Sequence, residues 1–154
     1  MQVKVKRTHK DAIPPKYMTP GAAGFDLYAC ESCDIFPNAW KQVRTGLIFE
    51  IPEGYEMQIR PRSGLALQYP SYILNSPGTV DSDYRGEVMI CIQNTRNKWM
   101  YIKQGDRIAQ GIITPVKQVE LVISNTITKT ERGNNGFGST GGITTEAEIR
   151  KRQE

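Results

Sequence analysis

Apolar and polar residues along this chain alternate in short bursts and form no helical stripes. Residues 3–5, 25–28, 33–36, 43–51, 55–60, 72–74, 88–93, 100–102, 107–114 and 119–123 are rich in Val, Ile, Leu, Phe and Tyr. Branched and aromatic side chains suit a pleated, half-buried surface, so each segment predicts a strand. Pro14-Pro15, Pro20-Gly21 and Pro37-Asn38 stand between them, and such residues set the backbone angles of turns. Short strands so punctuated predict an all-β sandwich or barrel. In the body only Ser63-Gly64-Leu65-Ala66-Leu67 reads as helical, with a further turn or two over residues 146–152. From Thr126 onward the periodicity stops, and residues 132–142 are too rich in glycine to order themselves. The expected organisation is one domain, with a β body over residues 1–125 and a flexible arm and tail over 126–154. At 154 residues the chain can bury one good core.

Composition narrows the function without choosing it. Lys+Arg 20 against Asp+Glu 16 gives a net charge of +4, compatible with nucleic acid, anionic lipid or a phosphate-bearing small molecule. No basic run with interleaved aromatics is present, and Arg150-Lys151-Arg152 reads as a solvated end. A nucleic-acid partner is therefore not expected. Neither a secretion leader nor an apolar run of about eighteen residues appears, so the expectation is a soluble, cytoplasmic protein away from membranes. Cys30, Cys33 and Cys91 are odd in number, which argues against a disulfide framework. Cys30-Glu31-Ser32-Cys33 has zinc or redox spacing, but His9 is the only histidine and no second pair accompanies it. Zinc normally takes four such ligands, so the pair reads as two small residues near a strand.

Several segments carry candidate chemistry beside a plainer reading. Arg60-Pro61-Arg62-Ser63-Gly64 places two guanidinium groups and a hydroxyl where a strand turns into a short helix, which makes either a phosphate seat or an ordinary helix start. Residues 78–86 read as a β-hairpin with Asp81, Asp83 and Tyr84 at its bend. These are either turn formers or the source of a general base, for which an Asp is the natural candidate when histidine is so scarce. Asp26, between Phe25 and Leu27, is either a plain outward residue or one facing a metal's water shell. The stretch from Gly133 to Gly138 has P-loop spacing, but Ser139 stands where lysine is needed and no helix frame follows. It reads instead as a tail, or as a segment whose amides, arginine and aromatic ring close over a flat anionic ligand.

Taken together, Ala22-Ala23-Gly24-Phe25-Asp26-Leu27-Tyr28, Pro61-Arg62-Ser63-Gly64-Leu65-Ala66, residues 78–94, Gly105-Asp106-Arg107-Ile108-Ala109-Gln110 and residues 132–141 resemble the five motifs of the trimeric dUTP diphosphatase family, in order and at similar separations. The resemblance spans about residues 20 to 141. It implies a jelly-roll-like subunit in a homotrimer with shared active sites, which hydrolyses dUTP to dUMP and pyrophosphate with Mg²⁺. That activity keeps uracil out of DNA and supplies dUMP for thymidylate synthesis. By the same resemblance Asp81 deprotonates the water that attacks the α-phosphorus, and Tyr84 packs against the deoxyribose. Asn75, Thr79, Val80 and Asp81, with Met89 on the return strand, read the uracil. Arg62, Ser63, Gly64 and Gln110 hold the phosphates, which carry most of the Mg²⁺ coordination, with Asp26 contributing through water. Arg132, Phe137, Gly138, Ser139 and Thr140 form a lid. Asn135, Gly111 and Tyr69-Pro70 depart from common family residues, at positions that bear on lid shape and local packing.

Two other functions compete. A dCTP deaminase of the same fold resembles this chain, but Leu67 and Cys91 stand where its relatives look to need an arginine and a glutamate, and neither handles protons at a cytosine ring. A non-catalytic nucleotide-binding regulator is the other alternative, and the presence of Asp81 argues against it.

Overall fold

The apolar bursts become eleven strands and one helix in the computed structural model, which describes residues 1–136. They run β1 (Lys4–Arg7), β2 (Phe25–Tyr28), β3 (Cys33–Ile35), β4 (Trp40–Arg44), β5 (Leu47–Glu50), β6 (Tyr55–Arg60), α1 (Ser63–Gln68), β7 (Ser71–Ile73), β8 (Gly78–Val80), β9 (Met89–Asn94), β10 (Met100–Ile102) and β11 (Arg107–Pro115). Every ladder between them is antiparallel. Four small sheets result, ordered β1-β5, β10-β3, β2-β11-β6-β8 and β4-β9-β7, giving the all-β, jelly-roll-like body that the strand rhythm and family motifs imply.

Period-two alternation builds the core. Leu47 and Phe49 of β5, Met57 and Ile59 of β6, and Ile90 and Ile92 of β9 all point inward and are buried, each contributing about 1.5–3 kcal/mol by leaving water. Phe25 stacks on Phe49 at 5.9 Å between ring centroids. That packing explains the glycine at 111: a Cβ there would lie 2.5 Å from the Phe25 ring. Buried polar groups are satisfied. Asn94 donates to the carbonyls of Ile35, Phe36 and Lys98 and accepts from the Arg96 amide, while the Thr45 hydroxyl donates to the Val88 carbonyl at 2.6 Å.

Three expectations need correction. The strand expected over residues 43–51 is two strands, because Gly46 takes a φ of 68° and breaks the ladder between β4 and β5. Residues 78–86 do not lie in a hairpin. β9 already has β4 on one edge and β7 on the other, so β8 pairs with the free edge of β6. Residues 81–88 therefore cross from one sheet to another. Residues 119–123 form no strand; a strand needs a ladder partner, and these residues find none among the described residues. The described chain falls into two units, Met1–Gln118 and a second that begins at Val119. In the second, Leu121, Val122 and Ile123 are 89%, 76% and 99% exposed.

Candidate active site

The crossing between sheets opens a cavity of about 170 Å³. Asn75, Gly78, Thr79, Val80, Asp81, Tyr84 and Met89 line it, together with Ile59, Ile73, Glu87, Val88, Ile90 and Cys91. Apolar residues of β6, β7 and β9 make the floor, and polar groups from the 75–81 segment edge it. That combination suits a flat heterocycle, because an apolar slot accepts the ring and fixed donors and acceptors read its edge. Asp81 sits at the lip, exposed, and also borders a wider groove of about 850 Å³ with Ser82, Asp83 and Arg85. Its carbonyl accepts from the Tyr84 amide at 3.2 Å, while its side chain has no hydrogen-bond partner among the described residues.

A second groove, of about 370 Å³, is lined by Arg62, Gly64, Gln68, Tyr69, Tyr101 and Arg107 among others, and shares no lining residue with the first. Arg62 caps the start of α1 with no side-chain cap bond; Ser63 and Gly64 follow it, exposed. The guanidinium of Arg62 donates through Nε to Asp26 Oδ1 at 2.8 Å, and Arg107 donates through Nη1 to Asp26 Oδ2 at 3.2 Å. Asp26 is 7% exposed, so the plain outward placement that alternation allowed is corrected: β2 is covered on both faces, and only a paired carboxylate tolerates that burial. Gln110 lies opposite Asp26 on one side of β11 and opposite Arg60 on the other. Its Nε2 donates to the Pro61 carbonyl at 2.9 Å, bracing the turn that carries Arg62 and Ser63.

Arg132 belongs to the second unit, where its Nε donates to the Asn135 carbonyl at 2.9 Å. Phe137, Gly138, Ser139 and Thr140 lie outside the described residues. Among the described residues no group of three or more His, Cys, Asp or Glu side chains is placed to hold a metal. Magnesium does not require such a cage, since it keeps waters and binds through one or two carboxylates plus substrate phosphates. Asp26 spends two of its roughly four acceptor positions on guanidinium groups, so the donor set fits an ion held mainly by phosphate oxygens. Cys30 is buried in the core and Cys33 begins β3, both as free thiols. Burial pushes both thiols up from the usual 9.0, which lowers their reactivity.

Sequence reasoning missed Glu87 and Arg107. Arg107 stands inside a quoted motif, and its role is visible only in the β2–β11 register. Glu87 follows Arg85-Gly86, with nothing in that spacing to announce its partner Arg44, whose Nη2 lies 2.8 Å away. Leu67 is 87% exposed on α1, and Cys91 faces the cavity. No helix among the described residues is long and apolar enough to cross a membrane.

Comparison with known proteins shows the family. The dUTPase family model matches residues 10–141. The deoxyuridine 5′-triphosphate nucleotidohydrolase of Nautilia profundicola is 50% identical, over 92% of this chain and 99% of its own length. Its counterpart from Helicobacter pylori strain J99 is 45% identical over 92% and 97%. The structure of the Staphylococcus bacteriophage 80alpha dUTPase with dUpNHpp superposes with a TM-score of 0.86 at 27% identity, covering 92% of this chain and 99% of that one. With the family model spanning most of its length and half of 141 aligned residues shared with a relative of nearly equal size, the chain belongs to the dUTPase family.

Proposed function

We propose that this chain hydrolyses dUTP to dUMP and pyrophosphate, with uracil in the cavity bordered by residues 75–91 and Asp81 as the general base. The observation that carries the reading is Asp81 itself, an uncommitted carboxylate at the mouth of a slot sized for one pyrimidine. Asn75, Thr79 and Val80 present donors and acceptors to the base edge, and Met89 closes the far side. Cytosine is rejected because its amino group would leave a buried polar group unpaired. Thymine is rejected by shape. The Tyr84 ring, at the cavity wall, takes the space that a ribose 2′-hydroxyl would need.

Asp81 accepts a proton from the attacking water as the oxygen bonds to the α-phosphorus, and pyrophosphate leaves in line; such a base contributes about 10²–10⁴-fold. Arg62, Ser63, Gly64 and Gln110 bind and align the phosphate chain, as charge-assisted donors do. Asp26 is the residue that would help the substrate phosphates hold Mg²⁺, and the ion would supply charge neutralisation at phosphorus. The family resemblance assigns Arg132, Phe137, Gly138, Ser139 and Thr140 a part in nucleotide binding.

One chain separates the base cavity from the Arg62 groove, which supports a homotrimer whose active sites are shared between copies. The bare apolar run Leu121-Val122-Ile123 supports the same assembly, since side chains so exposed lose their burial energy unless another surface covers them. Besides Asp81, the carboxylate lining the cavity is Glu87, and it is engaged by Arg44 and Gly46; this favours hydrolysis over deamination.

Pyrophosphate release from dUTP, dTTP, dCTP and UTP, assayed side by side, tests the reading. The expected kcat/KM for dUTP exceeds each of the others by about 100-fold or more. Comparable hydrolysis of dTTP, or ammonia released from dCTP at the dUTP rate, would overturn it. Light scattering is expected to give three times the chain mass, and a fully active monomer would remove the shared site.

A further inference from the structure

We propose that Glu87 is a positioning residue that sets selection against ribose by tethering the Tyr84 ring, an inference that rests on reading Tyr84 as the wall beside the sugar. Glu87 lines the base cavity with Tyr84 and Met89, yet its carboxylate is spent elsewhere. Oε1 accepts from Arg44 Nε at 3.1 Å and from the Gly46 amide at 2.9 Å. Oε2 accepts from Arg44 Nη2 at 2.8 Å and is reached by the Thr8 hydroxyl at 3.5 Å. A carboxylate has about four acceptor positions, so nothing remains to offer a nucleotide or a water. The bond from Arg44 also holds this carboxyl below the ordinary glutamate range.

The backbone of the same residue does what the side chain cannot. The Tyr84 hydroxyl donates to the Glu87 carbonyl at 3.2 Å, and Gly86 lies so close under the ring that no Cβ would fit there. The next residue is bolted down as well: the Val88 amide donates to the Leu47 carbonyl at 2.9 Å and the Val88 carbonyl accepts from Thr45. The end of the 81–88 crossing is thereby fixed to the β4–β5 turn through the Glu87 side chain, and Tyr84 hangs from that fixed carbonyl. An exposed aromatic ring without a tether changes rotamer readily, and Tyr84 is 44% exposed. Steric exclusion of a single hydroxyl needs a wall that does not yield, because displacements of about 1 Å cost or relax large factors in rate. The carboxylate is held by Arg44 and the Gly46 amide and the carbonyl by the Tyr84 hydroxyl, so the effect reaches the substrate only through the ring.

The experiment measures kcat/KM for dUTP and UTP in the full-length protein and in Tyr84→Phe, Glu87→Ala and their double variant. Tyr84→Phe keeps the ring and removes the tether; Glu87→Ala removes the anchor of its acceptor. Each is expected to narrow the dUTP:UTP ratio by about tenfold, with the double variant no worse than either single one, because both break one connection. A purely structural role would lower both substrates alike and leave the ratio intact, and that result in folded Glu87→Ala overturns the proposal. If Glu87→Ala does not fold, Glu87→Gln decides in its place: it keeps an acceptor for the Gly46 amide but sets an amide against Arg44, so an unaltered ratio there overturns the proposal equally. Tyr84→Ala separates the two layers. If it leaves the ratio intact, the sugar-wall reading fails; if it collapses the ratio while Glu87→Ala does not, the tether alone is wrong.

Discussion

Asp26 and Asp81 are both aspartates in quoted family motifs, and the fold treats them in opposite ways. Asp26 sits in β2, buried, with one guanidinium on each oxygen. Asp81 follows β8 at the mouth of a cavity, exposed, with no side-chain partner among the described residues. The difference teaches that a carboxylate's role follows from what surrounds it. Two cations on a buried carboxylate make an anchor that orients them, whereas an exposed carboxylate at a cavity lip keeps its lone pairs uncommitted to other side chains. The arginine groove is thus organised around a charge already neutralised, and the base cavity around one still available.

Removing the charge at each site sharpens the contrast. The largest expected effect is at the lip: Asp81→Asn should lower kcat by about 10³-fold while the affinity for a non-hydrolysable dUTP analogue, measured by calorimetry, stays within a few-fold. If the analogue is lost together with turnover, Asp81 is a binding group and the contrast fails. Next is the anchor. Asp26→Ala should destabilise the fold by about 2 kcal/mol in urea unfolding, short of the 3–5 typical when a fully buried pair is broken, because Arg107 is 43% exposed. Asp81→Asn should leave the urea midpoint almost unmoved.

The smallest effect is a pH dependence. Arg44 lowers the Glu87 carboxyl below the ordinary glutamate value of 4.5. A group whose folded pKa is depressed adds stability above its unfolded pKa and loses it as pH falls through the folded one. Thermal melting of the protein should therefore drop as pH falls below about 4.5, and Glu87→Gln should flatten that limb without changing its neutral-pH slope. A limb of the same shape in the variant would assign the loss to other carboxylates.

Much of the body was legible because alternation of period two is a local property. Residues 55–60, 88–93 and 107–114 each announce their strand through spacing alone, and β6, β9 and β11 lie there. The failures came where pairing depends on competition between distant segments. Nothing within residues 78–94 says that β9 has both edges occupied, so the crossing read as a hairpin. Gly46 carries the break between β4 and β5, but a lone glycine in an apolar run does not reveal its φ. Residues 119–123 have a strand's composition without a strand's partner in the described chain. At the site, Asn75, Thr79, Val80, Asp81, Tyr84 and Met89, grouped by the family resemblance, line one cavity, whereas the pairs Asp26–Arg62 and Arg44–Glu87 join residues 36 and 43 positions apart.

Composition and alternation by themselves determined that this chain is all-β and where most strands lie, because side-chain preference for a pleated surface acts over a few residues. Tertiary structure alone decided which strand edges meet, that Asp26 is buried between two arginines while Asp81 stays open, and that Glu87 holds up Tyr84. Those outcomes depend on desolvation and on hydrogen-bond partners brought from far along the chain, and burial is a property of the assembled sheets that no short stretch of sequence possesses.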